Sequence, residues 1–164
     1  MHQKISKNAK FDGGIYMGLK VDLYSLTYDM LDDCVDLFID TFSKEPWNDV
    51  YESRKQVVDF FENHMNNNYF MGYVLKIGDE LVGLSLGAKK PYLKGMEYFI
   101  DQFCVSEKFQ GQGAGSKFLE LIESDIKKQG INTIVLTTTK GFPSEKFYIK
   151  NGFKTSSNAI LLAK

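Results

Sequence analysis

The residues best suited to chemistry form a glycine-rich loop at 110–115, between a predicted strand and a predicted helix. Aromatic and β-branched residues predict the strand over 96–105. An apolar face at helical spacing predicts the helix, with Phe118, Leu119, Ile122 and Ile126. The first turn of a helix offers unpaired N–H groups and partial positive charge, and glycines let a bulky anion approach. We therefore expect a phosphate-bearing ligand on residues 110–116.

Two familiar phosphate loops do not fit these residues. A P-loop needs Gly, four residues and then Gly-Lys-Ser/Thr, whereas here Lys117 follows Ser116. The dinucleotide fingerprint needs a third glycine at 116, where the chain has Ser116. Only about 50 residues follow the loop, which leaves little room for the rest of a dinucleotide-binding domain.

A third pattern fits, because Gln110-x-x-Gly113-x-Gly115 matches Gln/Arg-x-x-Gly-x-Gly/Ala. Val105 ends the preceding strand five residues earlier, and the segment Phe-Tyr-x-x-x-Gly-Phe follows at 147–153. In this order and spacing the segments resemble the GCN5-related N-acetyltransferases, the GNAT family. The sequence Glu-Pro-Trp-Asn at 45–48 is similar to one between the first two helices of many bacterial members. The loop alone could be a glycine turn without a ligand, but the flanking segments favour the resemblance, which covers roughly 20–164.

The resemblance implies acetyl-CoA (coenzyme A) as cofactor and transfer of its acetyl group to an amine. Phe103 and Val105 would pair with the pantetheine arm, and the main chain near Phe103 or Cys104 would polarise the thioester carbonyl. Phe147 would lie beside the cofactor, and Tyr148 would give a proton to the leaving thiolate. The pyrophosphate would bind the loop residues, which are Gln110, Gly111, Gln112, Gly113, Ala114, Gly115 and Ser116.

Two carboxylates on the central strand are candidates for the base that deprotonates the amine. Asp101 leads Glu97 slightly, and both would share a face with Phe103 and Val105 in a regular strand. Many family members carry a glutamate on this strand, but position 102 here is Gln102, so solvent can also take the proton. The resemblance places Trp47 and Asn48 over the substrate. His64 reads as a packed or surface histidine.

Length and composition indicate one globular domain with a core. The chain has 164 residues, 43% of them hydrophobic, and a net charge of −1, which argues against a nucleic-acid partner. No apolar segment is long enough for a membrane span, and no signal peptide is visible. Cys34 and Cys104 need not pair and have no metal-ligand spacing, so we expect no metal and a cytoplasmic location.

The charge is unevenly distributed along the chain. Residues 22–62 carry eleven acids and three bases, a local net charge of 3 − 11 = −8. The simple interpretation is the solvated face of two amphipathic helices. The alternative is an acidic approach that attracts a cationic amine.

The predicted element order is β-α-α-β-β-β-α-β-α-β(-β), a mixed α/β sheet with helices on both faces. Strands are expected at 19–26, 69–77, 80–88, 96–105 and 131–138, with final strands at 153–155 and 159–163. Helices are expected from an N-cap at Asp29, at 51–65, after the glycine loop and at 144–150. Residues 89–95 read as a loop. Residues 1–17 are a leader or an added strand, and 18–164 form the GNAT-like domain, with a central sheet that splays between 96–105 and 131–138.

Three functions remain open from the sequence. The first is acetylation of a small-molecule amine, such as an aminoglycoside or polyamine, which the acidic segment favours. The second is acetylation of a protein N-terminus or lysine, and the third is an acyl-CoA-binding sensor without turnover. The apolar final strand is suited to pairing across a homodimer.

Overall fold

The computed structural model describes residues 10–11 and 13–164 and contains one six-stranded sheet with helices on both faces. This arrangement confirms the mixed α/β fold that the sequence predicts. The strands are β1 (Gly14–Tyr16), β2 (Leu19–Ser25), β3 (Phe70–Ile77), β4 (Glu80–Tyr92), β5 (Gly95–Val105) and β6 (Thr133–Leu136). The helices are α1 (Leu31–Phe42), α2 (Arg54–Met65), α3 (Ala114–Lys128) and α4 (Pro143–Lys150).

The strands lie in sequence order, and only the last connection needs a helical crossover. Strands β1 to β5 pair antiparallel, each with the next. Strand β6 pairs parallel with β5, which α3 makes possible by carrying the chain back along the sheet. The sheet thus separates two apolar clusters, one beneath α1 and α2 and the other beneath α3 and α4.

Helix α3 is fixed by its apolar face and by its C-terminal cap, and both features are visible in the sequence. Its apolar face, with Phe118, Leu119, Ile122 and Ile126, is buried against the sheet. At the C-terminus the N–H of Ile131 donates to Ile126 and that of Gly130 to Lys127, at 2.9 and 3.0 Å. This Schellman pattern needs a left-handed residue, and Gly130 supplies it with φ of 76°. The helix therefore presents a fixed N-terminus to the glycine loop.

Two irregularities of β5 shape the region that follows the loop. The β4 partners of β5 jump from Gly87–Ile100 to Leu86–Gln102, which leaves Asp101 as the extra residue of a β-bulge. Strand β6 pairs with β5 only as far as Ile100 and then ends at Leu136. A gap therefore opens beside β5 from Asp101 onward, which is the splay expected from the resemblance.

Several predicted boundaries are wrong, each for a local reason. Asp29 is not the N-cap of α1, because residues 28–30 form a 3-10 turn and α1 begins at Leu31. Helix α2 begins at Arg54 rather than at 51, because the Ser53 hydroxyl accepts the N–H of Gln56 at 3.2 Å. The predicted loop at 89–95 is mostly strand, since β4 and β5 pair as far as Tyr92 and Gly95.

The chain after α4 also differs from the prediction. No strand forms in residues 151–164, so the final strands expected at 153–155 and 159–163 are absent from the described residues. Ile160, Leu161 and Leu162 are about four-fifths exposed. Of the predicted leader, residues 14–16 form β1, and 1–9 and 12 lie outside the described residues.

Candidate active site

The glycine loop has the open backbone that anion binding requires. Gly111 and Gly113 have φ of 70° and 92°, a region that favours glycine. A Cβ on Gly111 would meet nothing within 4 Å, and one on Gly113 would meet only the Tyr16 ring, at 4.0 Å. The Gln110 side chain donates to the carbonyl of Val105 at 2.8 Å, which ties the loop to the end of β5.

The first turn of α3 points its free N–H groups at this loop. Gly113 is the N-cap and has no side chain that could cap those groups. The N–H groups of Ala114, Gly115 and Ser116 have no acceptor within the helix, and Lys117 is the first residue to donate back, to Gly113 at 3.0 Å. The loop and the helix start therefore fit a pyrophosphate on geometric grounds.

The gap beside β5 continues from this loop toward the middle of the sheet. Beyond Ile100 the edge of β5 that faces β6 has no strand partner in the described sheet. Along this edge, from Asp101 to Val105, backbone groups without a strand partner can pair with the amides of an extended ligand, apart from the Val105 carbonyl, which accepts from Gln110. The glycine loop and the unpaired edge of β5 adjoin at Val105, so together they can bind a molecule that has a pyrophosphate and an amide-bearing arm.

An aromatic group packs on the α3 and α4 side of this gap. Phe103 stacks on Phe118 and Phe147, with centroids 5.1 and 5.8 Å apart, and meets the Tyr148 ring edge-on at 6.2 Å. A Cβ on Gly115 would lie 3.0 Å from the Phe147 ring, so the glycine lets α3 and α4 approach closely. The group places Phe103, Phe147 and Tyr148 together, as expected from the sequence.

Tyr148 is the titratable residue of this aromatic group. Its side chain is buried, and burial raises the pKa of its phenol well above the ordinary value. A nearby Cys104 raises the pKa further. The phenol therefore keeps its proton at neutral pH and can serve as a donor.

On the opposite side of β5, Trp47 bridges the α1–α2 loop to the start of α4. Its ring lies 5.2 Å from that of Phe42 and 6.4 Å from that of Phe142. Asn48 is exposed, has φ of 52°, and donates its N–H to Lys44 at 2.9 Å. Both predicted substrate-binding residues therefore lie in one loop, with Trp47 half-buried and in contact with the start of α4 and Asn48 exposed.

Two residues of the same loop were not predicted to be functional. The Tyr51 hydroxyl donates to the Asp49 carboxylate at 3.3 Å, and the Tyr51 ring lies 6.0 Å from Phe38. Burial and the Asp49 charge raise the pKa of Tyr51. The sequence signal that could have indicated them is an acid, Asp49, between two aromatic residues, Trp47 and Tyr51.

The two candidate carboxylates of β5 do not share a face with Phe103 and Val105, contrary to the prediction. Phe103 and Val105 pack in the α3 cluster, whereas Asp101 contacts α2 on the other face. The bulge at Asp101 is the cause, because one extra residue reverses the alternation of side chains. Glu97 keeps the Asp101 face but lies about 13 Å further along the strand.

Asp101 has a partner that the sequence did not indicate. His64 of α2 places its Nε2 atom 3.4 Å from a carboxylate oxygen of Asp101. Sequence periodicity could suggest only a packed or surface position, because the contact depends on the bulge of a distant strand. The side chains of His64 and Asp101 are 24% and 37% exposed, so solvent reaches the pair.

Much of the acidic segment forms ordinary surface ion pairs. All three of its bases are used: Lys44 with Asp40, Arg54 with Asp32 and Asp36, and Lys55 with Asp59. These exposed pairs support the solvated-face interpretation for the helices. Asp49, in the loop that holds Trp47, instead accepts a hydrogen bond from the Tyr51 hydroxyl.

Comparison with known proteins places this fold and site in a family. The model of the acetyltransferase (GNAT) family matches residues 31–153. The chain therefore belongs to the GNAT family and is an N-acetyltransferase whose cofactor is acetyl-CoA. No curated protein matches the sequence significantly.

Solved structures share the fold over most of the chain. A transcriptional regulator from Bacillus halodurans is 25% identical, with 88% of this chain and 99% of that one covered and a TM-score of 0.69. The aminoglycoside N-acetyltransferase AAC(6')-Iy in complex with CoA is 13% identical, with 92% and 98% covered and a TM-score of 0.69. A ribosomal-protein-alanine N-acetyltransferase from Brucella melitensis is 12% identical, with 88% and 98% covered and a TM-score of 0.68.

Within the described residues, no helix has the length and apolar character needed to cross a membrane.

Proposed function

We propose that this acetyltransferase transfers the acetyl group to a primary amine of a small cationic molecule, of the aminoglycoside or polyamine type. The observation that carries the proposal is the loop after α1, where the Asp49 carboxylate accepts from the Tyr51 hydroxyl at 3.3 Å, two residues after Trp47. A carboxylate attracts an ammonium group, and aromatic faces bind cations and pack on the carbon skeleton. We call Trp47, Asn48, Asp49, Tyr51 and Asp101 the acceptor side.

The opposite face of β5 would hold the cofactor. We propose that the N–H groups of 110–116 bind its pyrophosphate, and that Phe103, Cys104 and Val105 pair with its amide arm. Phe147 would cover the arm from α4. These residues form the cofactor side, together with Tyr148.

Each reacting group has a proposed partner in this chain. Acetyl-CoA supplies the acetyl group as a thioester when bound. The main chain near Phe103 and Cys104 would orient that carbonyl by hydrogen bonding. Asp101 would take a proton from the amine, and Tyr148 would give a proton to the departing sulfur. Glu97 is the weaker candidate base, because it lies in the fully paired part of β5.

Acetylation of a peptide N-terminus or lysine is the second candidate. Structural neighbours include both aminoglycoside and ribosomal-protein-alanine acetyltransferases, at 13% and 12% identity, so the fold is compatible with either acceptor. The acidic loop favours the small cation, because a compact charge can lie against Asp49. The net charge of −1 gives no support for a nucleic-acid ligand.

The experiment begins with binding and ends with turnover. Acetyl-CoA or CoA at a hundred times its dissociation constant should stabilise the protein by about 2.7 kcal/mol, a shift of roughly 5–10 °C. Thiol release is then measured with spermidine, kanamycin and an alanine-terminated peptide. Turnover of spermidine or kanamycin above the peptide supports the proposal, and a preference for the peptide overturns the acceptor assignment.

We also propose that the enzyme is a cytoplasmic homodimer. Both cysteines are free and buried, as suits a reducing compartment. The outer edge of β6 ends the sheet, and the exposed apolar residues Ile160, Leu161 and Leu162 are suited to add a strand there in a second copy. Light scattering on the full chain and on a Leu161→Lys variant tests this, and a wild-type monomer would contradict it.

A further inference from the structure

A histidine–carboxylate pair joins α2 to the bulge of β5. His64 lies in the last turn of α2, and its Nε2 atom is 3.4 Å from Asp101 Oδ2. Its Nδ1 atom is 3.0 Å from the carbonyl oxygen of Phe60, one turn earlier. The imidazole ring also packs against the Phe60 ring, with centroids 4.6 Å apart. The ring is therefore held through Nδ1 and its packing on Phe60, and Nε2 is directed at Asp101.

The two contacts assign different roles to the two nitrogens. A carbonyl oxygen can only accept, so the contact with Phe60 requires that Nδ1 carries a proton. Nε2 of a neutral ring is then the acceptor, and it faces Asp101. An ionised Asp101 also only accepts, so this 3.4 Å contact becomes a hydrogen bond when a proton lies between the two groups, as transfer from a substrate amine would provide.

The pair lies where the reaction would take place. Asp101 is the bulge residue and also the first residue of β5 beyond the pairing with β6. It therefore lies at the point where the gap opens, on the α2 face. The contact with His64 limits how Asp101 can turn, because α2 is packed on the sheet through Phe61 and Met65.

We propose that His64 is a positioning residue that holds Asp101 toward the acceptor amine and receives the amine proton through it. This inference rests on the proposed function and adds a second residue to its proton path. The ammonium N–H bond breaks as a carboxyl O–H bond forms on Asp101. That proton passes to Nε2 of His64, giving an imidazolium that donates to Asp101 and Phe60. The Nε2 proton then passes to water that reaches the partly exposed pair, which restores the neutral ring with its proton on Nδ1.

The test begins with the protein alone, so that it does not depend on turnover. The chain has two histidines, His2 and His64, so ¹⁵N labelling of histidine gives two imidazole spectra. His64→Gln identifies the spectrum of His64. We expect the neutral ring to carry its proton on Nδ1, and Asp101→Asn to shift the Nε2 signal more than the Nδ1 signal.

Kinetics with the best amine of the panel then measure the role. His64→Gln should lower kcat by about tenfold to a hundredfold. It should change the acetyl-CoA thermal shift little, because His64 lies away from the loop. Added imidazoles should restore His64→Ala in the order of their basicity, which a purely structural role would not produce. Lys55→Gln on the same helix breaks an exposed ion pair and serves as the control, with unchanged kcat.

The outcomes separate this inference from the proposed function. Normal kcat in His64→Gln, or a loss that imidazoles do not restore, would overturn the role of His64 while leaving the acetyltransferase intact. An Nε2 signal indifferent to Asp101→Asn would overturn the contact itself. A wild-type protein that turns over no panel amine would instead refute the proposed acceptor class.

Discussion

The two faces of β5 differ in which atoms they offer a ligand. The cofactor side offers mainly backbone, with N–H groups at the start of α3 and a free strand edge from Asp101 to Val105. The acceptor side offers side chains from two separate elements, the loop after α1 with Asp49 and the bulge of β5 with Asp101, which His64 of α2 contacts. Backbone sites tolerate few changes at their glycines, whereas side-chain sites can change one residue at a time. The fold can therefore keep its cofactor while its acceptor varies.

The largest expected effect comes from closing the backbone site. Gly113→Leu puts a side chain on a residue with φ of 92°, which strains the turn by about 1–3 kcal/mol and blocks access to the N–H groups. We expect acetyl-CoA affinity to fall by more than about tenfold, measured by calorimetry. Gly78→Leu is the matched control, because its φ is 60° in a distant hairpin with open space around it. Equal losses of affinity in both variants would contradict the loop assignment.

The next effect concerns the phenol proposed as the proton donor on the cofactor side. Tyr148→Phe removes a phenolic proton that burial holds in place and keeps the ring packing with Phe103 and Phe147. We expect kcat to fall by about tenfold to a hundredfold, with acetyl-CoA affinity within about twofold. Tyr28→Phe removes an exposed hydroxyl that donates to Asn66 and should leave both values unchanged. A normal kcat in the Tyr148→Phe enzyme would show that Tyr148 is not the proton donor.

A smaller effect is expected from the charge on the acceptor side. Asp49→Asn keeps the shape of the loop and removes the proposed attraction for an ammonium group. An exposed charge interaction contributes about 1 kcal/mol or less, so KM for a cationic amine should rise about fivefold at most, with kcat nearly constant. The increase should shrink at high salt. Asp59→Asn, which breaks an exposed pair with Lys55, is the control, and an equal change there would refute a local role for Asp49.

The cofactor side was easier to predict from the sequence than the acceptor side, because it is built from short stretches of backbone and not from distant side chains. The glycine loop between strand and helix, the helix after it and the helix that carries Phe147 and Tyr148 lie where the sequence predicts them, because short stretches encode them; their roles at the site stay predictions. The face of Asp101 was predicted wrongly, because one bulge in β5 reverses the alternation of side chains. The contact with His64 joins residues 37 positions apart (101 − 64), so no local pattern could indicate it.

The missing final strand has a similar explanation. Residues 159–163 have the composition of a strand, but a strand also needs an edge to pair with, and sequence alone does not say where that edge is. In the structure Ile160 and its neighbours are exposed and unpaired with the sheet. The β-propensity of residues 159–163 therefore predicted a strand that does not form in the described residues.

The smallest expected effect is on cysteine labelling, which tests whether β5, the strand between the two sides, is closed to solvent. Cys104 lies on β5, and burial raises the pKa of its thiol to about 12. Burial raises the pKa of Cys34 as well. Alkylation requires the thiolate, so neither cysteine should react with iodoacetamide at neutral pH, and labelling should accelerate only as pH approaches that raised value or the protein unfolds. An introduced Ser43→Cys at an exposed position should react at once. Rapid labelling of Cys104 in the folded enzyme would mean that β5 opens to solvent, and the two sides would then not be separated by a closed strand.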